Sequence, residues 1–376
     1  MSTPRNAEYT KKYNQKMFLR LLHRESLSRA DVARRMGLTR ASASLIADEL
    51  LKEGWIVENK LFAVSKSGRP PVALSIAKDS CYAIGVFLNR DGCYAGIVSF
   101  NGQVICKARF KLKEETDKIN GICQNFEKLI SASGVKREKI MGVGISAPGP
   151  IDTVNGRILN PPGFNLWHNT DIAKAVSDTL KMPVYIENDA SSIARFNIGK
   201  PACHGSENFL LLVVDRGVGS GIVLGGELFS PKSSFTGELG HTSIRFDGKA
   251  CDCGNRGCLE AYAAIPNLLK DSRFSSWDDV VNEHYIADDA KVLFEMEAQY
   301  LSAGIINLAN LMGIDTVLLS GDICNEETQF ARLIENKVNE RILHHPIKVY
   351  SASLDANIRS LASAEIVFDK YLSLYQ

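Results

Sequence analysis

The sequence has no run of about 18 apolar residues, the minimum for a helix that crosses a bilayer, so no membrane span is expected in its 376 residues. It also lacks the apolar core of a signal peptide. The opening MSTPRNAEYTKKYNQ is polar, and a cytoplasmic location is the expectation. Cysteines number nine, an odd count scattered along the chain except for one cluster. In such a compartment that pattern excludes a disulfide framework and turns attention to metal. Large net charge is missing as well, with 44 Lys and Arg against 43 Asp and Glu. What is present, 45% hydrophobic and 23% charged residues, is the composition of an ordinary globular protein long enough for two or three domains.

The neutral total hides an asymmetry. Residues 1–80 hold 15 basic and 8 acidic side chains, leaving 29 basic and 35 acidic in the remainder. A basic front end on an acidic body suits a small module that meets a polyanion, although a solvated basic face gives the same count.

Phe18, Leu19, Leu21 and Leu22 recur at helical spacing and predict a first helix. Ser28 can cap a second, with Asp31 three residues on, and Gly37 is suited to end it in a left-handed turn. Thr39 caps a third, running through Ala43, Leu45, Ile46 and Leu50 toward Gly54. Helix, short glycine turn, helix is a helix-turn-helix pattern. The apolar runs Trp55–Val57 and Leu61–Val64 are expected to form a wing hairpin. If the third helix enters the major groove of double-stranded DNA, the candidate contacts are Ser28, Thr39, Arg40, Ser42 and Ser44. The following Lys66-Ser67-Gly68-Arg69-Pro70-Pro71 is extended, and Arg69 either enters a minor groove or sits in a linker.

After Pro71 strands alternate with helices. Ala83–Leu88, Tyr94–Val98 and Val104–Cys106 predict a three-stranded meander, followed by a helix near 119–132 and a strand from Ile140. A second set follows: Phe209–Val214, Gly221–Leu224, a long helix near 288–311 and Thr316–Leu319. The economical fold is α/β, two similar lobes with a ligand where strand ends face the gap.

Five segments in order carry a resemblance: Ser146–Pro150, Glu187–Ala190, Gly237–His241, Cys251–Gly254 with Gly257–Glu260, and Ser320–Asp322. In these the chain resembles the ROK family, which groups bacterial sugar kinases with sugar-responsive repressors. The resemblance implies a winged helix-turn-helix with its linker over residues 1–75, then a two-lobed actin/hexokinase-like domain over 76–376 with a zinc-binding loop at 238–260. Homodimers or tetramers are expected, with operator DNA and a monosaccharide or sugar derivative as partners.

Cys251, Cys253 and Cys258 are spaced C-x-C-x4-C, and three thiolates need a fourth ligand to close a tetrahedral site; buried free cysteines are the alternative. His241 matches the family's fourth ligand, which implies one structural Zn2+ per chain. The resemblance also implies sugar contacts at Asn165, Asn188, Asp189, Glu238, His241 and Glu260, side chains able to orient hydroxyls.

In the family's kinases Asp189 would be the general base. Those kinases also carry an Asp-x-Gly-Gly-Thr turn that holds ATP phosphate. This chain reads Phe87-Leu88-Asn89-Arg90-Asp91 there. The loss of the acid at Phe87 and of the glycines at Asn89 and Arg90 points away from an enzyme. Gly217, Gly219 and Gly221 are then expected to be strand-turn glycines. An ATP-dependent sugar kinase with an accessory DNA-binding domain is the alternative, and a corepressor that docks on a transport protein is a third reading.

Overall fold

Three helices open the chain: α1 (Ala7–Arg24), α2 (Arg29–Met36) and α3 (Arg40–Lys52). The computed structural model describes residues 7–60, 72–90, 92–111, 118–229, 236–324, 328–343 and 345–373. Ser28 caps α2 by accepting a hydrogen bond from the Asp31 amide at 3.1 Å, and Gly37 (φ 64°) ends it. Thr39 caps α3 in the same way through the Ser42 amide at 3.1 Å.

The helices pack against a small antiparallel sheet of β1 (Leu27–Ser28), β3 (Val72–Ile76) and β2 (Ile56–Lys60), in that order. This corrects the wing. β2 pairs with Val72–Ile76, register Ile56 to Ile76, and the run Leu61–Val64 lies outside the described residues, as does Arg69. Lys66–Pro71 likewise lies outside the described residues, and the strand after it, β3, belongs to the head's sheet. Leu74 and Ile76 face the core, and the Ala77 amide bonds the Trp55 carbonyl.

The first lobe follows with β4 (Tyr82–Asn89), β5 (Gly92–Ser99), β6 (Val104–Phe110), α4 (Lys118–Ser133), β7 (Ile140–Ala147), the small hairpin β8 (Ile151–Asp152) and β9 (Arg157–Ile158), α5 (Ile172–Leu180) and β10 (Val184–Asn188). Its sheet order is β10-β7-β4-β5-β6, with the expected antiparallel meander and β7 and β10 parallel to β4. Helix α6 (Asp189–Asn197) crosses to the second lobe, which begins with β11 (Phe209–Val214), β12 (Val218–Leu224) and β13 (Glu227–Leu228). Helices α7 (Glu260–Ala263), α8 (Ile265–Leu269), α9 (Trp277–Glu283) and α10 (Asp288–Met312) lead to β14 (Thr316–Ser320), α11 (Thr328–Asn339) and β15 (Lys348–Ser351). That sheet runs β13-β12-β11-β14-β15.

The last helix, α12 (Ala356–Leu372), returns to the first lobe. Gly85 and Gly144 permit its approach: a Cβ at either would collide with the carbonyl oxygens of Ser360 or Ser363. Val367, Phe368 and Leu372 of α12 share one apolar cluster with Phe18, Leu22 and Leu50 of the head and Phe100 of the first lobe. Head and body are thus packed together through a common core.

Candidate ligand cleft and metal cluster

β10 delivers Asn188 and Asp189 to the gap between the lobes. Asn188 caps α6 through the Ser191 amide at 3.1 Å, and one Asp189 carboxylate oxygen accepts the Ala190 amide at 2.8 Å. Across the gap lie Glu238, His241 and Glu260. These five residues line one cavity of about 120 Å³, together with Arg90, Gly149 and Asp215. Gly149 makes room for them: a Cβ there would stand 3.0 Å from Asn188 Nδ2 and 3.3 Å from Glu238 Oε1.

The cavity is acidic, and its carboxyl groups are largely buried. Burial pushes the Asp189 carboxyl up to about 6; Asp215 and Glu238 add to the rise, while the Ala190 N–H and Arg90 oppose it. Asp215 also rises to about 6, from burial and the nearby charge of Asp322. Glu238 is raised, mainly by burial. Carboxyl groups that share a confined space and titrate high can both accept and donate, which is what a ring of hydroxyls requires.

Two of these residues, Asp215 and Arg90, were not among the sugar contacts read from sequence. Asp215 follows the apolar strand Phe209–Val214 and precedes glycines, which is the available signal. Only the fold shows that its side chain reaches the amide of Asp322, in a space that Gly321 leaves open. Asn165 is the reverse case. It sits on a short exposed turn and lines a neighbouring cavity of about 690 Å³, apart from the other five. The turn is set by Trp167 and Phe164, both buried in the first lobe's core, and it leaves Asn165 exposed.

Glu260 does more than face the cavity. One carboxylate oxygen accepts the Val218 amide at 2.9 Å, and the other lies 4.0 Å from His241 Nε2. Gly217 is needed beside it, since a Cβ would come within 2.8 Å of Glu260 Oε2. Gly219 and Gly221 have another purpose, packing against Ala190 and Ala194 of α6.

His241, Cys251, Cys253 and Cys258 form the metal cluster: their ligand atoms all lie within 4.8 Å of one another and could hold a metal ion. His241 Nδ1 is 3.7 Å from Cys251 Sγ, and the Cys253 and Cys258 sulfurs are 3.7 Å apart. Tetrahedral coordination with metal–sulfur bonds of about 2.3 Å requires edges of about 3.8 Å, so the donors fit. The loop is tied by bonds from the Asn255 amide group to Cys258 Sγ and the His241 carbonyl, both 3.3 Å. Gly257 (φ 71°) is forced by the Arg245 carbonyl packed against it.

In the head, the hydroxyls of Ser28 and Thr39 are engaged in capping, and Ser42 Oγ lies 2.9 Å from Thr39 Oγ1. Arg40 and Ser42 are exposed on the first turn of α3, and Ser44 is partly covered.

A helix-turn-helix head on a two-lobed α/β body, with an acidic cleft beside a Cys3His cluster, defines a class that joins DNA-reader and sugar-kinase architecture. The chain belongs to the ROK family, whose profile matches residues 84–364. It is 29% identical to a xylose repressor of Caldicellulosiruptor bescii over 96% of this chain and 95% of that protein. A crystal structure of a ROK family transcriptional regulator, a homologue of the Escherichia coli Mlc protein, superposes with a TM-score of 0.79 at 23% identity, covering 97% of this chain and 98% of that one. The ROK hexokinase of Thermus thermophilus aligns with a TM-score of 0.65 at 26% identity, over 76% of this chain and 97% of the hexokinase.

Proposed function

We propose that this protein is a sugar-responsive DNA-binding transcriptional regulator that represses carbohydrate-use genes, with a monosaccharide in the cleft altering operator affinity. The observation that carries this reading is the single apolar core linking the α2–α3 head to the lobe that supplies Asn188 and Asp189. Similarity to a repressor along nearly the whole length, head included, supports it.

The same elements supply a route between the sites. α6 starts at the sugar pocket and ends near the head. Arg195 on α6 pairs with Glu187 and with Asp369 of α12, both at 2.7 Å. One turn earlier on α12, Glu365 takes His23 of α1 at 2.9 Å, while the other His23 ring nitrogen faces the Phe100 carbonyl at 2.9 Å. Sugar bound at Asn188 and Asp189 would bias the position of α6, and through these ion pairs the head. The ligand acts by its different affinity for the two arrangements. Two copies must set their α3 helices about 34 Å apart to read one DNA face, so a small rotation changes operator affinity.

We assign the metal as one structural zinc per chain, held by His241, Cys251, Cys253 and Cys258. Four protein donors fill a tetrahedral site, and such an ion stabilises a loop without activating water. His241 then faces the ion with Nδ1 and Glu260 with Nε2, so the loop's fold sets the position of Glu260 at the cleft.

Kinase activity is the second reading, favoured by Asp189 at the cleft and by the hexokinase match. Against it stand Phe87, buried with the Arg359 guanidinium 5.5 Å from its ring, and Arg90 where the family's kinases have glycine. Asp91 lies outside the described residues. Two measurements test the reading: titration of labelled DNA from the protein's own promoter with and without xylose and other monosaccharides, and ATP-dependent sugar phosphorylation. Promoter binding shifted by a sugar is expected. Turnover of about one per second or faster would overturn it in favour of the kinase.

A further inference from the structure

Helix α3 turns one ridge away from the head's core. Ala43, Ala47 and Leu50 are its buried residues. At about 100° per residue, the line opposite them is Ala41, Leu45, Asp48 and Lys52, all exposed. Leu45 differs from the rest of the helix's large apolar residues. Ile46 beside it packs against the head's core, yet Leu45 is 68% exposed. A single exposed leucine is common on protein surfaces and means little by itself. The place of this one gives it meaning.

The ridge is prepared for a polyanion. The first two turns, Arg40–Ile46, contain no acid, in a head that is basic as a whole. Farther along, both acids are already paired: Asp48 with Arg29 of α2 at 2.7 Å, and Glu49 with Lys11 of α1 at 2.8 Å. The hydroxyls at the helix start are partly engaged within the protein, since Thr39 caps α3 and its Oγ1 lies 2.9 Å from Ser42 Oγ. The outermost side chains of these turns are therefore an apolar pair one turn apart, Ala41 and Leu45.

A helix that enters the major groove by its N-terminal turns lays such a ridge against the base edges. Those edges carry donors and acceptors, which a leucine would cover without replacing their hydrogen bonds. The apolar substituent displayed there is the C5-methyl group of thymine. We propose that Leu45 is a base-reading residue that selects thymine in the operator by packing against this methyl. Ala41, small and one turn earlier, lets the helix backbone approach closely enough for the contact. The proposal rests on the reading of the head as a DNA reader and names a base that reader selects.

Deoxyuridine pairs as thymine does and lacks only the methyl, so it isolates the contact. Full-length protein is titrated by fluorescence anisotropy with a duplex from its own promoter, then with duplexes carrying single thymine-to-deoxyuridine replacements along the site. At the position read by Leu45, wild-type affinity should fall about fourfold, the worth of burying one such group. Leu45→Ala should weaken promoter binding by about tenfold, and deoxyuridine at that position should cost the variant nothing further. Leu45→Met should keep most of the wild-type response. Both variants should melt with the wild type, and all three proteins should share one salt slope and one affinity for scrambled DNA, because no phosphate contact changes. Wild-type binding indifferent to every replacement, or penalties that Leu45→Ala retains in full, would overturn the assignment while the DNA reader stands. An equal loss on scrambled DNA would overturn it too, as would a fall in sedimentation mass on Leu45→Ala, which would make Leu45 a contact between copies. If the wild type binds neither promoter nor scrambled DNA at low salt, with or without sugars, the DNA reader itself fails and the base assignment with it.

Discussion

The molecule has two joints, and they are built from opposite materials. Head and first lobe meet through a continuous apolar core, beside which His23 of α1 pairs with Glu365 of α12. The two lobes meet at a gap lined by carboxyl groups, backbone and glycine. Close-packed apolar joints do not deform continuously, while a polar, underfilled gap closes only when a ligand satisfies its groups. The contrast separates a close-packed joint from a polar one, and α1 also touches the second lobe, where Arg20 pairs with Glu227 at 3.3 Å.

The largest expected effect comes from breaking the scaffold of the gap. Cys258→Ser removes one of four donors from the His241–Cys251–Cys253–Cys258 cluster, and a structural zinc held by such a set would be worth about 10–16 kcal/mol of apparent binding energy. Elemental analysis should show loss of about one zinc per chain, and calorimetry a drop of several kcal/mol in stability. A metal-free protein with unaltered melting would refute the structural ion.

Breaking the stiff joint comes next. Glu365→Gln removes the acid facing His23, and loss of one partner from an enclosed pair costs about 3 kcal/mol. The pH dependence has a definite sign. His23 and other nearby cations hold the Glu365 carboxyl below its ordinary 4.5 against the cost of burial. The lowered Glu365 carboxyl therefore contributes stability that is present above about pH 4.5 and is lost as pH falls through its lowered value. Wild-type stability should drop more steeply than the variant's below that pH, as followed by denaturant titration. Parallel curves would show that the joint does not depend on this pair.

Asp189→Asn sharpens the comparison, because it touches the gap alone. It replaces an acceptor oxygen with a donor, and sugar affinity should fall by about one to two powers of ten. DNA affinity without sugar should be unchanged, giving a repressor deaf to its inducer. A loss of sugar-free DNA binding would mean that the two joints are coupled even without ligand. The smallest change is at neither joint. Arg40→Ala, on the exposed first turn of α3, should weaken operator binding by about 1–3 kcal/mol if Arg40 reads a base. An even loss across sequences with a shallower salt slope would instead assign Arg40 to phosphate. Fluorescence anisotropy with operator and scrambled DNA separates the two.

Much of this was legible in the residues. Helix starts at Ser28 and Thr39, the stop at Gly37 and the alternation of strands and helices follow from local rules of capping and periodicity, and the structure has them where the pattern put them. The C-x-C-x4-C spacing is local too, so the sulfurs could be grouped without the fold. The second wing strand was missed because Val72–Ile76 follows two prolines and reads as the end of a linker. Its partner, β2, is separated from Val72 by eleven residues, beyond any local signal.

The sequence by itself determined the elements, the cysteine cluster and the candidate acids, because each rests on chemistry within a few neighbouring residues. Tertiary structure alone decided that Asp215 and Arg90 enter the pocket, that Asn165 stands outside it, and that Gly219 and Gly221 serve the packing of α6. It also decided that head and body share a core, since α12 brings Phe368 against Phe18 from the far end of the chain. Those outcomes depend on side chains meeting across the whole length of the polypeptide, and no short-range pattern encodes such a meeting.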